Sequence, residues 1–254
     1  MNPEFKAVLL AYPDNPVGRV FFQAFQKEGA PLHAVVVEQF EGQANRGRFR
    51  EKIRKDGVYE TLRRVIEMIW MKATRTTIVH LARKNGVTVH EVERFNGPDC
   101  IALLQSLEPD LLCIASAPIL KSAVFETARI GCLNAHPGWL PQYRGIGANA
   151  NALLNGDDPG VSLHFIDAAI DQGALLHRER VPIRARDTVA RINDRAVARG
   201  AVLMAQAVVK LAEGDSLNPI SISEPLGPVY RALSYDQVKP INHRIRRHGG
   251  FHAS

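Results

Sequence analysis

The chain of 254 residues is poor in several things, and each shortage excludes something. It has three cysteines, Cys100, Cys113 and Cys132, an odd number with two of them inside apolar runs. That speaks for buried reduced thiols and against a disulfide framework or a thiolate metal cluster. No apolar run nears the roughly 18 residues that would cross a bilayer, so no membrane span is expected. The opening Met1 to Lys6 lacks a basic stretch leading into an apolar core and a small-residue cleavage site. This predicts a cytoplasmic location. His33, His80, His90, His177, His243, His248 and His252 show no metal-ligand spacing, and no metal is expected. Internal repeats and long low-complexity tracts are missing too.

Acidic residues are in deficit, 26 against 32 basic ones, for a net charge of +6. The excess is clustered at Arg46, Arg48, Arg50, Lys52, Arg54, Lys55, Arg63, Arg64, Lys72 and Arg75, and again at Lys239, Arg244, Arg246 and Arg247. With no aromatic-rich RNA motif or zinc-finger spacing beside it, this charge reads as a solvated helix face and a charged end. Attraction of an anionic partner, or a subunit contact, is the functional alternative.

What is present is ordinary for a globular protein: 46% hydrophobic and 23% charged residues. Short apolar runs at Ala7 to Tyr12 and Ala34 to Val37 flank a helical spacing of Val20, Phe21, Ala24 and Phe25 that stops at Gly29. That is a strand-helix-strand unit, which implies parallel strands. Val58 to Val79 reads as one long amphipathic helix with Leu62, Val65, Ile66, Ile69 and Trp70 on one side. Strands are expected at Val87 to Val92, Leu111 to Ala115, Gly131 to Asn134, Val161 to Phe165 and Leu175 to Ile183. Helices are expected at Ile101 to Leu107, Ala123 to Ala128 and Gly147 to Leu154, with another running from a cap at Asp187 or Thr188 to about Leu211. Residues 1–213 form one catalytic domain in this reading. Residues 214–254, rich in Pro, Gly and Ser at their start, are too few for a second core and read as a short irregular tail.

The run Asn134-Ala135-His136-Pro137-Gly138-Trp139-Leu140-Pro141-Gln142-Tyr143-Arg144-Gly145 carries the chemistry. Side chains at i and i+2 of an extended segment point the same way, so Asn134 and His136 address one point. Ligands of open α/β sheets gather at the carboxyl ends of strands, which is where this pair sits. Asp171, 35 positions beyond His136, supplies a carboxylate. Amide, imidazole and carboxylate suit acyl transfer. The amide donates to the oxyanion of a tetrahedral intermediate, and the imidazole adds a second donor or moves protons. Asp171 favours a charged imidazole by proximity or holds a relay water, and both roles stay open. His164 alternates with apolar neighbours and reads as a satisfied half-buried histidine. Arg144-Gly145 reads as a loop fixture, Trp139 as a packing anchor.

Four ordered blocks, Leu133-Asn134-Ala135-His136-Pro137, Leu140-Pro141-Gln142-Tyr143-Arg144-Gly145, Gly160-Val161-Ser162-Leu163-His164-Phe165 and Ile170-Asp171-Gln172-Gly173, resemble the 10-formyltetrahydrofolate-dependent formyltransferase family. That family embraces glycinamide ribonucleotide, methionyl-tRNA and sugar N-formyltransferases. The resemblance implies an α/β, Rossmann-like fold with a mainly parallel central sheet flanked by helices, and Asn134, His136 and Asp171 as the catalytic trio. It implies 10-formyltetrahydrofolate as co-substrate. Its pocket would be walled by Ala117, Pro118, Ile119 and Leu120 on one side and by Ile166, Asp167, Ala168, Ala169 and Ile170 on the other.

Departures narrow the acceptor. After the first strand, Ala11-Tyr12-Pro13-Asp14-Asn15-Pro16-Val17-Gly18 replaces the small-residue phosphate loop of the ribonucleotide enzyme. Gly138 stands where serine is frequent in the family. The tail is expected to leave no room for the tRNA-binding β-barrel of the methionyl-tRNA enzyme, and the N-terminal regulatory domain that the hydrolases usually carry is not expected either. The expectation is formyl transfer to the primary amine of a small molecule, an amino sugar, often nucleotide-linked, ahead of an amino acid. A homodimer is possible. Two alternatives stay open: a hydrolase releasing formate, and a non-catalytic binding protein on the same core.

Overall fold

The structure, a computed structural model, describes residues 4–39, 53–54 and 57–248. The basic residues Arg46, Arg48, Arg50, Lys52 and Lys55, and His252, lie outside the described residues.

Five strands, β1 (Ala7–Ala11), β2 (Ala34–Glu38), β3 (Thr88–Val92), β4 (Leu111–Ile114) and β5 (Gly131–His136), run parallel in the spatial order β3-β2-β1-β4-β5. A two-residue strand, β6 (Arg144–Gly145), stands outside this sheet. Then β7 (Gly160–Phe165) adds antiparallel to β5 and β8 (Leu175–Arg180) antiparallel to β7, completing seven strands. The apolar runs of β1, β2 and β4 are continuous because both faces of a parallel sheet are covered. Their alternate side chains sort into two cores. Ala7, Leu9, Ala11, Val35, Cys113 and Leu133 face one side, and Val8, Leu10, Val36, Leu112 and Cys132 the other.

On the first side lie α1 (Pro16–Glu28), which starts on an Asn15 cap and a proline and ends at Gly29, and a 24-residue helix that begins at the Thr188 cap. Between them in sequence come α2 (Val58–Ala73), α3 (Ile78–Lys84), α4 (Pro98–Leu107), α5 (Ser122–Phe125) and α6 (Ala148–Asn155), so the long helix, Val189–Ala212, is α7. Helices α4 and α5 cover the second side with Cys100, Leu104, Val124 and Phe125. Each large side chain such as Leu9 or Phe22 taken fully from water contributes about 1.5–3 kcal/mol. Gly200 lets α7 lie against the site strand: a Cβ there would stand 2.8 Å from the Ala135 Cβ.

Two expectations are corrected. The single helix from Val58 to Val79 is two, because Arg75 adopts a left-handed backbone (φ 53) and the Thr77 hydroxyl caps the start of α3. Its apolar residues do share a side, but that side faces solvent, with Leu62 48%, Ile66 65%, Ile69 61% and Trp70 51% exposed. The inward side is anchored by Thr61 and Met71, both fully buried, and by ion pairs: Arg63 reaches Asp194 of α7 at 2.9 Å, and Arg19 of α1 reaches Glu67 at 3.3 Å.

The tail is the second correction, since only its first part is irregular. β9 (Val229–Tyr230) pairs with β6, and α8 (Tyr235–His248) buries Ile241 and Ile245 in the first core. The α8 side chain of Asn242 accepts from the N–H of Val189 at 2.8 Å, the first residue of α7. Pro240 inside α8, and a sequence otherwise crowded with charge, hid this helix; two isoleucines one turn apart anchor it.

Candidate active site

The carboxyl end of β5 carries Asn134 and His136, and the antiparallel register sets His164 of β7 opposite Asn134 and Ser162 opposite His136. His136 and His164 are buried, at 4% and 1% exposure. Asp171 enters from the loop after β7 with φ 51, a conformation that costs a non-glycine residue strain and that its neighbours hold. Its Oδ2 accepts the N–H of Gly145 at 2.7 Å and lies 3.6 Å from His136 Nδ1, and its Oδ1 lies 3.6 Å from His164 Nε2. One carboxylate therefore faces two imidazoles.

The carbonyl partners fix the tautomers, because a carbonyl only accepts. His136 Nε2–H donates to Tyr143 O at 2.8 Å, which leaves Nδ1 toward Asp171. His164 Nδ1–H donates to Phe165 O at 2.8 Å, so its Nε2 offers a lone pair to Asn134 Nδ2 at 3.2 Å. That bond sets the amide with its NH2 toward His164 and directs its second hydrogen elsewhere. Burial, then the neighbouring His136, holds the His164 pKa below its ordinary value, against the pull of Asp171. The neutral ring that Asn134 requires is thus the favoured one.

The loop after His136 is pinned along its length. Ser162 Oγ donates to Gly138 O at 2.8 Å and accepts from Leu140 N at 3.1 Å. Gly138 is obligatory for this packing: a Cβ would come 2.4 Å from His136 Nε2 and 2.5 Å from the Ala148 Cβ. Burial, helped by Asp157, which accepts the Tyr143 hydroxyl, pushes that phenol up to about 12. Arg144, 6% exposed, spends Nε on Ile170 O and Nη1 on Gly227 O, both at 3.0 Å. It ties the Asp171 loop to the tail segment and fixes the loop, as its place in the motif suggested. Trp139 is packed as an anchor, its ring covered by the guanidinium groups of Arg180 at 3.7 Å and Arg178 at 4.3 Å.

The expected walls meet only in part. Ala117, Leu120 and Ile166 join one apolar cluster with Cys132 and Tyr12, and Ile166 N donates to Cys132 O at 2.8 Å. Pro118, Ile119, Asp167, Ala168, Ala169 and Ile170 stand exposed around it, Ile119 at 72%. Asn96 holds the first of these loops through Ile119 O and Lys121 N. A cleft of about 210 Å³ opens on another side of Asp171, lined by Leu140, Pro141 and Leu175 together with Ile222, Glu224 and Leu226 of the tail. Of the expected site residues it touches Asp171 alone.

His164 is the group that sequence reasoning missed. It bonds a backbone carbonyl as a satisfied histidine does, but it also holds Asn134 and faces Asp171. The signal that would have found it is the pairing of its strand beside β5. Tail residue Gly227 gave no signal at all, yet its N–H donates to Pro141 O and a Cβ there would strike Gln142 O at 1.9 Å.

A twisted, mainly parallel sheet with polar groups converging at one strand end defines a doubly wound α/β protein with an enclosed polar site. Residues 72–208 match the formyl transferase family, and the chain belongs to it. It is 33% identical over 147 residues to the methionyl-tRNA formyltransferase of Aromatoleum aromaticum, covering 57% of this chain and 46% of that protein. The corresponding enzyme of Pseudomonas entomophila is 32% identical over 170 residues, 66% of this chain and 54% of that one. The matches thus span about half the length of these curated relatives. Among solved structures, glycinamide ribonucleotide transformylase 1 from Symbiobacterium toebii superposes with a TM-score of 0.58 at 20% identity, covering 83% of this chain and 88% of that one. A sugar N-formyltransferase from Shewanella sp. gives 0.55 at 17%, covering 89% and 76%. Likeness at that identity establishes the shared fold.

Proposed function

We propose that the protein transfers the formyl group of 10-formyltetrahydrofolate to the primary amine of a small acceptor, an amino sugar ahead of an amino acid. The observation that carries this reading is the single Asp171 carboxylate facing His136 and His164 while His164 holds the Asn134 amide. Family membership supports formyl chemistry. The cluster of Ala117, Leu120 and Ile166 suits a flat heterocycle, which takes apolar walls and a few main-chain hydrogen bonds. The co-substrate would bring the activated formyl carbon.

In the transfer, the amine nitrogen forms a bond to the formyl carbon, and the carbon–N10 bond then breaks with its electron pair returning to N10. The attacking nitrogen loses a proton and N10 gains one. Asn134, its amide oriented by neutral His164, donates its second N–H to the developing oxyanion, a type of contact worth about 10²–10³-fold in rate. His136 presents Nδ1 on the Asp171 side, where a proton gained would be stabilised by the carboxylate 3.6 Å away. Asp171 is held for that task by the Gly145 N–H and, through Ile170 O, by Arg144.

The loop after β1 supports an acceptor other than glycinamide ribonucleotide. Four of its N–H groups are already engaged: Tyr12 N with Ser116 Oγ, Asn15 N with Tyr12 O, Val17 N with Asn15 Oδ1, and Gly18 N with Asn15 O. A phosphate would find few donors there. The deciding experiment incubates the protein with 10-formyltetrahydrofolate and a pool of amino sugars and amino acids, and follows the mass gain of one formyl group. A formylated amine is the expected product. Formate released at the full rate without any amine would replace transfer by hydrolysis, and no turnover of either kind would overturn the proposal.

A further inference from the structure

Helix α2 is held to the protein by Met71, Thr61 and its ion pairs, and its outward side is an apolar seam. Tyr59, Leu62, Ile66, Ile69 and Ala73 follow one another at spacings of three, four, three and four, the a/d repeat by which helices pair. All five are exposed, Tyr59 at 77% and Val58 beside it at 57%. Taking aromatic side chains at ~200 Å² and aliphatic ones at ~150 Å², Val58, Tyr59, Leu62, Ile66, Ile69 and Trp70 together leave roughly 600 Å² of side chain in water. A monomer's largest apolar patch is about 300–600 Å², and one side of a standard interface is about 800 Å².

The flanks of the seam do not repel a like helix. Its cations are neutralised by carboxylates of their own chain: Arg63 by Glu60 and Asp194, Arg64 by Glu60, and Lys72 by Asp14 at 2.6 Å. The other flanking positions are Val58, Val65 and Trp70. Outside the described residues the sequence offers few large apolar side chains, namely Met1, Phe40, Phe49 and Phe251. A surface that is apolar, helical in period and neutral at its edges is complementary to itself, which is the requirement of a two-fold contact.

We infer that α2 is a dimerisation helix that pairs with α2 of a second copy of this chain through the seam centred on Leu62, Ile66 and Ile69. The contact is independent of the reaction proposed above. Sedimentation velocity of the full chain from about 1 to 100 µM, a range that brackets interfaces of this size, is expected to show a species of twice the chain mass. Ile66→Glu combined with Ile69→Glu is expected to weaken association ~100-fold or more, with an unchanged far-UV circular dichroism spectrum, since both side chains are exposed. Ile66→Cys gives a second reading, because Cys100, Cys113 and Cys132 are buried. Mild oxidation should link two copies through the introduced thiol.

Three results would overturn the inference. A dimer that survives the double glutamate variant places the interface elsewhere. A monomer whose introduced thiol reacts freely with maleimide leaves the seam for a different protein. A monomer whose thiol is protected shows that the chain covers its own seam.

Discussion

Two polar networks in this molecule obey opposite rules. Beneath α2, Glu60, Arg63, Arg64, Glu67 and Asp194 are partly exposed, and the pairs are redundant: Arg63 alone meets Glu60, Glu67 and Asp194. Around Asp171 the two imidazoles and the carboxylate are 2–14% exposed, and each ring N–H donates to a single carbonyl. Redundancy tolerates change and fixes little. Singular contacts in a place with little water fix geometry tightly and are expensive to break. The first network positions a helix; the second positions atoms.

The sharpest ways to break this contrast lie in the buried network. Asn134→Ala and His136→Ala are expected to lower the turnover number by ~10²–10³-fold or more while folate affinity, measured by fluorescence titration, stays within about threefold. Arg144→Met comes next. It strands the carbonyls of Ile170 and Gly227, which should cost about 2–4 kcal/mol in urea unfolding and lower turnover more than it raises KM. A variant with unchanged turnover would remove Arg144 from its positioning role. Gly138→Ser, although it restores the residue frequent in the family, has no room beside His136 and Ala148. Overpacking of this kind should destabilise by about 1–3 kcal/mol, and a neutral result would show that the loop relaxes.

The pH dependence offers a gentler probe. His164 has a folded pKa below the 6.5 of the unfolded chain, chiefly from burial. As pH falls through about 6.5 the unfolded state takes up a proton that the folded state refuses, so its stabilising contribution, complete above that value, is lost progressively toward the folded pKa. Unfolding followed by circular dichroism should show this fall, and His164→Gln should lack that share of it. The smallest effect belongs to the exposed network: Asp194→Asn, with Arg63 still paired to Glu60 and Glu67, should cost under about 1 kcal/mol. A larger loss would mean that the two networks differ less than their burial suggests.

How far the sequence spoke follows the same division. Local signals carried β1, β2 and β4 as apolar runs, α7 from its threonine cap, and the Asn134–His136 pair from the two-residue period of a strand. The role of His164 was out of reach because it depends on the pairing of β7 with β5, a non-local choice. Periodicity grouped Leu62, Ile66, Ile69 and Trp70 on one side of α2, but a period is silent on whether that side meets the core or the solvent. The break at Arg75 is a single left-handed residue among polar neighbours. The tail helix is held by Ile241 and Ile245 against a core that only the folded chain assembles, and Gly227 matters solely for what its backbone touches.

In the proposed reaction Asp171, held at a strained backbone angle by Gly145 and the Arg144 clamp, organises both imidazoles for formyl transfer. Asp171→Asn tests it most directly, assayed with 10-formyltetrahydrofolate and the amine pool beside the native chain. Turnover is expected to fall ~10²-fold or more with folate affinity nearly unchanged. Native turnover in that variant would contradict this role.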